Sequence, residues 1–516
     1  MAGPPPDPPA GPPADEGTAV TRYPSLAADR EPAAGASVVV TVDLLQERRD
    51  TATESQGVTI EDLPFDWSAL DVQVDLVSSA IDFAQPTGVV TVRRNAASVP
   101  ATFSGTVRAG LSPGKDVTVK AFFSHGGRTC GMATRVFTTG QAERAGLAPA
   151  PGTPLVVETR AEPAVLTVHI LRPDMSAPSK LFWILKVPRA DAVPGLPDRL
   201  SAPGDLPGEP AAYTAQLYQS FAGLSPGGHT DFFRGAGDEL WARTPDVFRR
   251  TYWALRDSIG ASFSIQFVTD DPHIPWELMR PHRKVPEETA DLLAIEHPVA
   301  RWIAEYEGHL RQQLPAGRVV TIAPKYRSAN DVLPRAQDEA DLLTHEFSAA
   351  SVAGTAAGVK QLLREGLGGE RIAVVHFAGH GEFKPGMPGA SSIKLEDGSL
   401  TALEVGAVET KLGERDGPLV VFNACQVGVS GEALGVPGGW AAAFLKRRFR
   451  GFVAPLWAIY DEDAPVVVKE LFEAVVTRHE PLGQALQQIR ARHGASSPTF
   501  LAYLYYGDVL ARFPAA

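Results

Sequence analysis

The sequence predicts an α/β protein, a mostly parallel sheet flanked by helices, with a separate N-terminal antiparallel β-sandwich. Three observations carry this. Short runs alternating between apolar and polar residues fill 36–140, a Pro/Ala/Gly stretch at 141–154 follows, and apolar runs alternate with helix-spaced segments from about 213 onward. Alternation of period two marks strands with one wet face. Uninterrupted apolar runs between helices mark strands covered on both faces.

Residues 1–35 hold seven prolines in the first thirteen positions and show no hydrophobic periodicity. They read as a disordered or polyproline-like tail. In 36–140, Leu70-Asp71-Val72-Gln73-Val74-Asp75-Leu76 and Asp116-Val117-Thr118-Val119-Lys120-Ala121-Phe122 alternate strictly, with similar runs at 37–43, 88–94, 101–107 and 132–138. Pro100 and Ser112-Pro113-Gly114 break these runs, as turns do in a small β-sandwich. No catalytic pattern falls here, so the segment reads as an interaction module. After the linker at 141–154, strands are predicted at 165–171 and 181–187, then a Pro- and Gly-rich loop at 188–210. The core from about 213 to 516 has predicted strands at 262–268, 317–323, 371–378, 418–424, 451–457 and 501–505. Ala336, Ala340, Leu343 and Phe347 mark one helix face between them, Trp440 and Phe444 a second, and Val467, Leu471, Phe472 and Val475 a third.

Composition narrows the function classes. Net charge is −12, with no Lys/Arg run longer than Lys446-Arg447-Arg448, which disfavours a nucleic-acid partner. No apolar stretch approaches the ~20 residues of a membrane span, and Met1-Ala2-Gly3-Pro4-Pro5-Pro6 lacks the regions of a secretory signal. A cytoplasmic location is the expectation. Only Cys130 and Cys425 are present, which excludes a disulfide framework. Cys130 reads as a buried apolar thiol.

Two apolar runs end on chemistry. Ile372-Ala373-Val374-Val375-His376-Phe377-Ala378 runs into Gly379-His380-Gly381-Glu382, and Leu419-Val420-Val421-Phe422-Asn423-Ala424 into Cys425-Gln426. Parallel strands deliver their C-terminal ends to the crevice where open α/β sheets bind ligands. Packing residues at strand ends remain the plain alternative. No G-x-S-x-G, P-loop or H-E-x-x-H pattern competes. His376 and His380 cross from strand to glycine loop, and no Cys/His/carboxylate set completes a zinc site, so no metal or other cofactor is expected. His376 reads as a sheet residue supporting its neighbour. Asn423 either orients a side chain at the site or satisfies local backbone groups.

His376-Phe377-Ala378-Gly379-His380-Gly381 followed by Phe422-Asn423-Ala424-Cys425-Gln426 resembles the paired signatures of the CHAT family. These are caspase-like cysteine peptidases, related more distantly to separases, gingipains and metacaspases. Ile274-Pro275-Trp276-Glu277-Leu278, Gly451-Phe452-Val453-Ala454-Pro455-Leu456-Trp457 and Tyr506-Gly507-Asp508 agree with it. The resemblance covers roughly 155–516 and is strongest between 370 and 465. His380 and Cys425 lie 45 positions apart, against about 50 for the caspase interval.

The resemblance implies a caspase-type fold over 155–516, with Cys425 as nucleophile and His380 as general acid/base. Backbone N–H groups of Gly381 and Cys425 would then form the oxyanion hole. A pocket for a basic side chain next to the cut would draw on Asp270, Asp271, Asp461, Glu462 or Asp463. Helix capping is the alternative for the last three. The implied function is cleavage of protein substrates by a regulated effector in a bacterial regulatory or defence system, with an activator or partner protein meeting the N-terminal module. The alternative is a non-enzymatic caspase-like scaffold. The loop Lys384 to Leu400 reads either as a mobile lid or as an ordinary surface excursion.

Overall fold

A computed structural model describes residues 18–55, 57–112, 114–138, 155–158, 161–173, 177–197, 200–221, 228–304, 306, 310–433 and 436–515. The linker read at 141–154 lies outside them. Two sheets form the N-terminal part. One runs, in spatial order, 155–158, 58–63, 18–28, 37–45, 101–107 and 81–83; the other 53–55, 128–138, 116–125, 69–78 and 87–93. Every neighbouring pair is antiparallel except 155–158 with 58–63. Alternation explains the packing. Val38, Val40, Val42 and Leu44 point one way from their strand, Val117, Val119, Ala121 and Phe123 one way from theirs, and all fall in one buried apolar cluster.

Two boundaries differ from the sequence reading. Of the predicted tail of 1–35, residues 1–17 lie outside the described residues, and Thr18–Ala28 is an eleven-residue strand. Ala27 and Leu26 pair with Thr41 and Val42 of the next strand, Ser37–Leu45, and the inward positions Val20, Arg22, Pro24 and Leu26 show no plain apolar alternation. Leu155–Glu158 joins the N-terminal sheet through Val58–Leu63 instead of opening the larger domain.

Among the described residues, an eleven-stranded mixed sheet is the frame of the larger part. Its spatial order is 201–203, 182–186, 166–171, 265–269, 299–303, 503–506, 451–455, 419–423, 372–378, 318–322 and 350–351. Most neighbours are parallel. The exceptions are 201–203 with 182–186, 182–186 with 166–171, and 503–506 with 451–455. That last pairing splits the parallel strands into two blocks of opposite direction. Strand Ile372–Ala378 is buried at all seven positions and Leu419–Asn423 at all five, since helices cover both faces. On one face Phe422 packs 5.3 Å from both Trp440 and Phe444 of helix Trp440–Lys446. On the other, His376 meets helix Pro334–Glu346 through Glu339 and helix Ala464–Phe472 through Phe472.

The family-like segments outside the strand ends serve this core. Trp276 is fully buried against Trp183, and Glu277 forms a buried bidentate pair with Arg301. Residues 384–400, read as lid or excursion, hold a short turn and strands 392–394 and 399–401, which pair beside Gly381–Glu382.

Polar contacts join the N-terminal sheets to the large sheet. Arg128 pairs with Asp508 at 2.8 Å, Lys120 with Asp270 at 3.7 Å, and Lys186 with Asp75 at 3.7 Å. Lys186 and Asp75 are both almost wholly buried, and Asp75 also accepts from the Thr87 hydroxyl. Removing one member of a buried pair strands the other's charge. Lys186→Met is therefore expected to lower unfolding free energy by about 3 kcal/mol in urea melts. The double variant Lys186→Met/Asp75→Leu is expected to recover most of that loss.

Candidate functional site

The site starts from register. Strands Ile372–Ala378 and Leu419–Asn423 are parallel neighbours, with Ala378 opposite Asn423. The Gly379 N–H donates to the Asn423 carbonyl at 3.2 Å, extending the pairing one step. His380 and Cys425 thus each lie two residues beyond a matched pair, on strands spaced ~4.8 Å apart. Both are half-buried, although the strands leading to them are wholly buried. At the turn after Cys425, Gln426 adopts φ 60°, a left-handed conformation uncommon for a residue with a side chain. It swings the chain away and leaves the thiol at a corner.

Glycine keeps these two ends close. A Cβ at Gly381 would stand 2.7 Å from the Cys425 carbonyl oxygen and 2.6 Å from a Val427 methyl. A Cβ at Gly379 would stand 2.6 Å from the Tyr326 hydroxyl. Neither approach is open to a larger residue.

His380 is held from three sides. Its Nε2 lies 2.8 Å from the Asp331 carbonyl, so Nε2 carries the proton and, in the neutral ring, Nδ1 the lone pair. The backbone N–H of His380 donates to the Tyr326 hydroxyl at 3.1 Å, and that hydroxyl donates to the Lys394 carbonyl at 3.0 Å. The Tyr326 ring packs 5.0 Å from the imidazole. Burial pushes the Tyr326 phenol up to about 12, which keeps it a donor. Lys394 pairs with Asp331 at 2.7 Å, and this contact holds the Asp331 carboxyl below its usual range.

Beneath Cys425 runs a buried polar chain. Thr321 Oγ1 meets His376 Nδ1 at 2.9 Å, His376 Nε2 donates to Glu339 at 2.5 Å, Asn423 Nδ2 donates to Glu339 at 2.7 Å, and the Tyr503 hydroxyl donates to Asn423 Oδ1 at 2.5 Å. Burial raises the Tyr503 phenol well above its ordinary range, and nearby Glu339, Cys425 and Asp463 add to the rise. Asn423 therefore faces side chains, while its own carbonyl serves Gly379. Sequence reasoning missed Glu339, Tyr503, Tyr326 and the Asp331 carbonyl. A signal for Glu339 existed, since it lies three residues after Ala336 and four before Leu343, on the apolar face of its helix.

The acidic residues read as a substrate pocket have different surroundings. Asp270 pairs with Lys120 and Arg172 and accepts the Arg172 backbone N–H at 2.7 Å. Asp271 is buried and accepts the N–H groups of His273 and Ile274. Both follow strand Ile265–Thr269, which lies on the far side of 299–303, 503–506 and 451–455 from Leu419–Asn423 and runs opposite to it. Arg172 nevertheless reaches Glu432, on the segment after Cys425, at 2.5 Å. Asp461 and Glu462 lie in the turn before helix Ala464–Phe472. Asp463 occupies the N-cap position, and its carboxylate accepts from Ser497 Oγ at 2.5 Å instead of capping its own helix. Of the five, Asp463 shares the surroundings of Tyr503 with Cys425.

Among the described residues, no group of three or more His, Cys, Asp and Glu side chains has metal-site geometry. No helix there is long and apolar enough to cross a membrane.

Residues 273–498 match the family model described as CHAT domain. Among solved structures, the chain is similar to two crystal structures of the Saccharomyces cerevisiae separase–securin complex. Identities are 10% and 11%, with a TM-score of 0.40 in each. The match covers 68% of this chain and 30% of the separase chain, so it spans less than a third of that protein's length. No curated protein matches.

Two outcomes follow from this geometry. Gly381→Ala is expected to cost about 1–3 kcal/mol in chemical denaturation, because the new methyl forces backbone apart, and to slow alkylation of Cys425. Asp270 is raised from 3.8 to about 6, chiefly by burial, with Lys120 and Arg172 opposing the rise. A raised folded-state value means the folded protein keeps a proton that the unfolded chain releases. The stabilisation is complete below about pH 4 and is lost as pH rises through about 6, a total of about 3 kcal/mol. Asp270→Asn is expected to remove that slope from stability measured across this window.

Proposed function

We propose that the chain is a caspase-like cysteine endopeptidase in which His380 and Cys425 form the reacting pair. One observation carries the reading. Ala378 and Asn423 are matched on parallel strands, so a part-exposed imidazole and a part-exposed thiol follow on neighbouring strand ends. The CHAT domain match over 273–498 spans both residues.

The chemistry follows from the hydrogen bonds. The Asp331 carbonyl fixes the proton on Nε2 of His380, which leaves Nδ1 to accept the thiol proton. The Cys425 sulfur attacks the scissile carbonyl carbon, and the N–H groups of Gly381 and Cys425 face the developing oxyanion. Collapse breaks the C–N bond as His380 returns the proton to the leaving amine. Water then hydrolyses the thioester, with His380 again as base. Gly381 suits this role because its backbone stands against Cys425 without a side chain between.

Substrate choice is assigned to Asp463 and its neighbours Asp461 and Glu462. Asp270 and Asp271 are engaged by cations and backbone, whereas Asp463, with Asp461 and Glu462 beside it, lies near enough to Tyr503 to raise its phenol, as Cys425 does. A carboxylate there favours Arg or Lys next to the cut. The N-terminal sheets, packed as a β-sandwich of residues 18–138 with 155–158, are the module for recruiting a substrate or activator protein. In a bacterial regulatory or defence setting that partner would switch the effector on.

Cleavage of a cell-lysate peptide library tests this. Wild type is expected to cut after basic residues faster than after aspartate, Cys425→Ala to be silent, and His380→Ala to lose about 10²–10⁴ in rate. Silence of the wild type, even with its activator present, would instead support a scaffold that only binds a partner.

A further inference from the structure

Glu339 is the most exacting group near the candidate site. It is 2% exposed, on a helix face otherwise built from Ala336 and Leu343. An apolar side chain there would cost far less, because a buried carboxylate must be met by donors to be tolerated. The donors are His376 Nε2 and Asn423 Nδ2, one to each carboxylate oxygen.

What these bonds hold is the end of the cysteine strand. The Asn423 side chain is gripped by Glu339 on one side and the Tyr503 hydroxyl on the other, and its backbone carbonyl is gripped by Gly379. Gly379 precedes His380, and Asn423 stands two residues before Cys425. The same helix begins just after Asp331, whose carbonyl orients the imidazole. A single helix with its leading turn thus touches both arms of the site.

We propose that Glu339 and Asn423 are positioning residues that align Cys425 with His380 through the Glu339 carboxylate to Asn423 amide contact. This rests on the peptidase reading for its purpose, but not for its measurement. Polarity is the essential feature. Glu339 offers only acceptors, so the Asn423 amide must turn its N–H inward and its oxygen toward Tyr503. Glu339→Gln keeps one acceptor and sets its amide N–H against the donor of either His376 or Asn423. Asn423→Asp sets carboxylate against carboxylate. In the exchanged pair Glu339→Gln/Asn423→Asp every bond returns. The introduced amide accepts from His376 through its oxygen and donates its N–H to the introduced carboxylate, to which Tyr503 donates as before.

The test is the rate of Cys425 alkylation by iodoacetamide, read by mass spectrometry of the Cys425 peptide from about pH 5 to about pH 9. Each single variant is expected to slow alkylation about tenfold near neutral pH, the scale of one lost hydrogen bond. The exchanged pair is expected to return within about twofold of wild type. Folded single variants that react at the wild-type rate overturn the proposal, as does slowing that the exchange fails to rescue. Should the single variants not fold, Tyr503→Phe removes only the outer bond, and an unchanged pH profile there likewise overturns it. The peptidase reading is judged separately, by whether His380→Ala changes the wild-type profile and whether peptides are cut.

Discussion

The parallel pairing of Ile372–Ala378 with Leu419–Asn423, Ala378 opposite Asn423, sets where His380 and Cys425 stand relative to each other. A slip of one residue would turn every side chain of one strand to the wrong face. Burial on both faces forbids that slip, since Phe422, packed beside Phe377, meets the aromatic helix on one side and His376 and Asn423 meet Glu339 on the other. The core therefore enforces the geometry of the site. Glycine at 379 and 381 then lets the chain ends approach as closely as that register requires.

Much of the polarity in this core is costly in itself. Glu339, the Glu277–Arg301 pair and the Asp75–Lys186 pair are all nearly free of solvent. Apolar replacements of like volume are often neutral or stabilising at such places, while half of a pair left alone is strongly destabilising. The partners here are met with directed hydrogen bonds, which favour one arrangement over its near relatives. Around the candidate site that selectivity falls on the strand ends.

A second line of charge runs toward the same segment from the N-terminal sheets. Lys120 meets Asp270, Asp270 meets Arg172, and Arg172 meets Glu432, seven residues after Cys425. Arg128 with Asp508 and Lys186 with Asp75 add fixed points between the two parts. The N-terminal sheets are thus anchored through buried or half-buried ion pairs rather than through apolar surface alone.

The apolar runs at 372–378 and 419–423 were legible because strands covered on both faces need no polar positions, and a His or Cys just beyond such a run stands out. Alternating runs such as 69–78 and 116–125 were legible for the converse reason. Thr18–Ala28 was lost against the proline-rich stretch before it, because two of its four inward positions, Val20, Arg22, Pro24 and Leu26, are an arginine and a proline that hide the alternation. Glu339 sits in Gln337-Asp338-Glu339-Ala340-Asp341, where only helix phase separates the buried carboxylate from its exposed neighbours. The residue types, their order and the local periodicities are properties of the chain, and they determined which strands exist and which side chains end them. Only the folded arrangement decided that the carbonyl of Asp331 orients His380 and that Asn423 is held by Glu339 and Tyr503. Those contacts join residues 49 and 84 and 80 positions apart, and a hydrogen bond to a distant backbone or side chain leaves no periodic trace in the sequence that makes it.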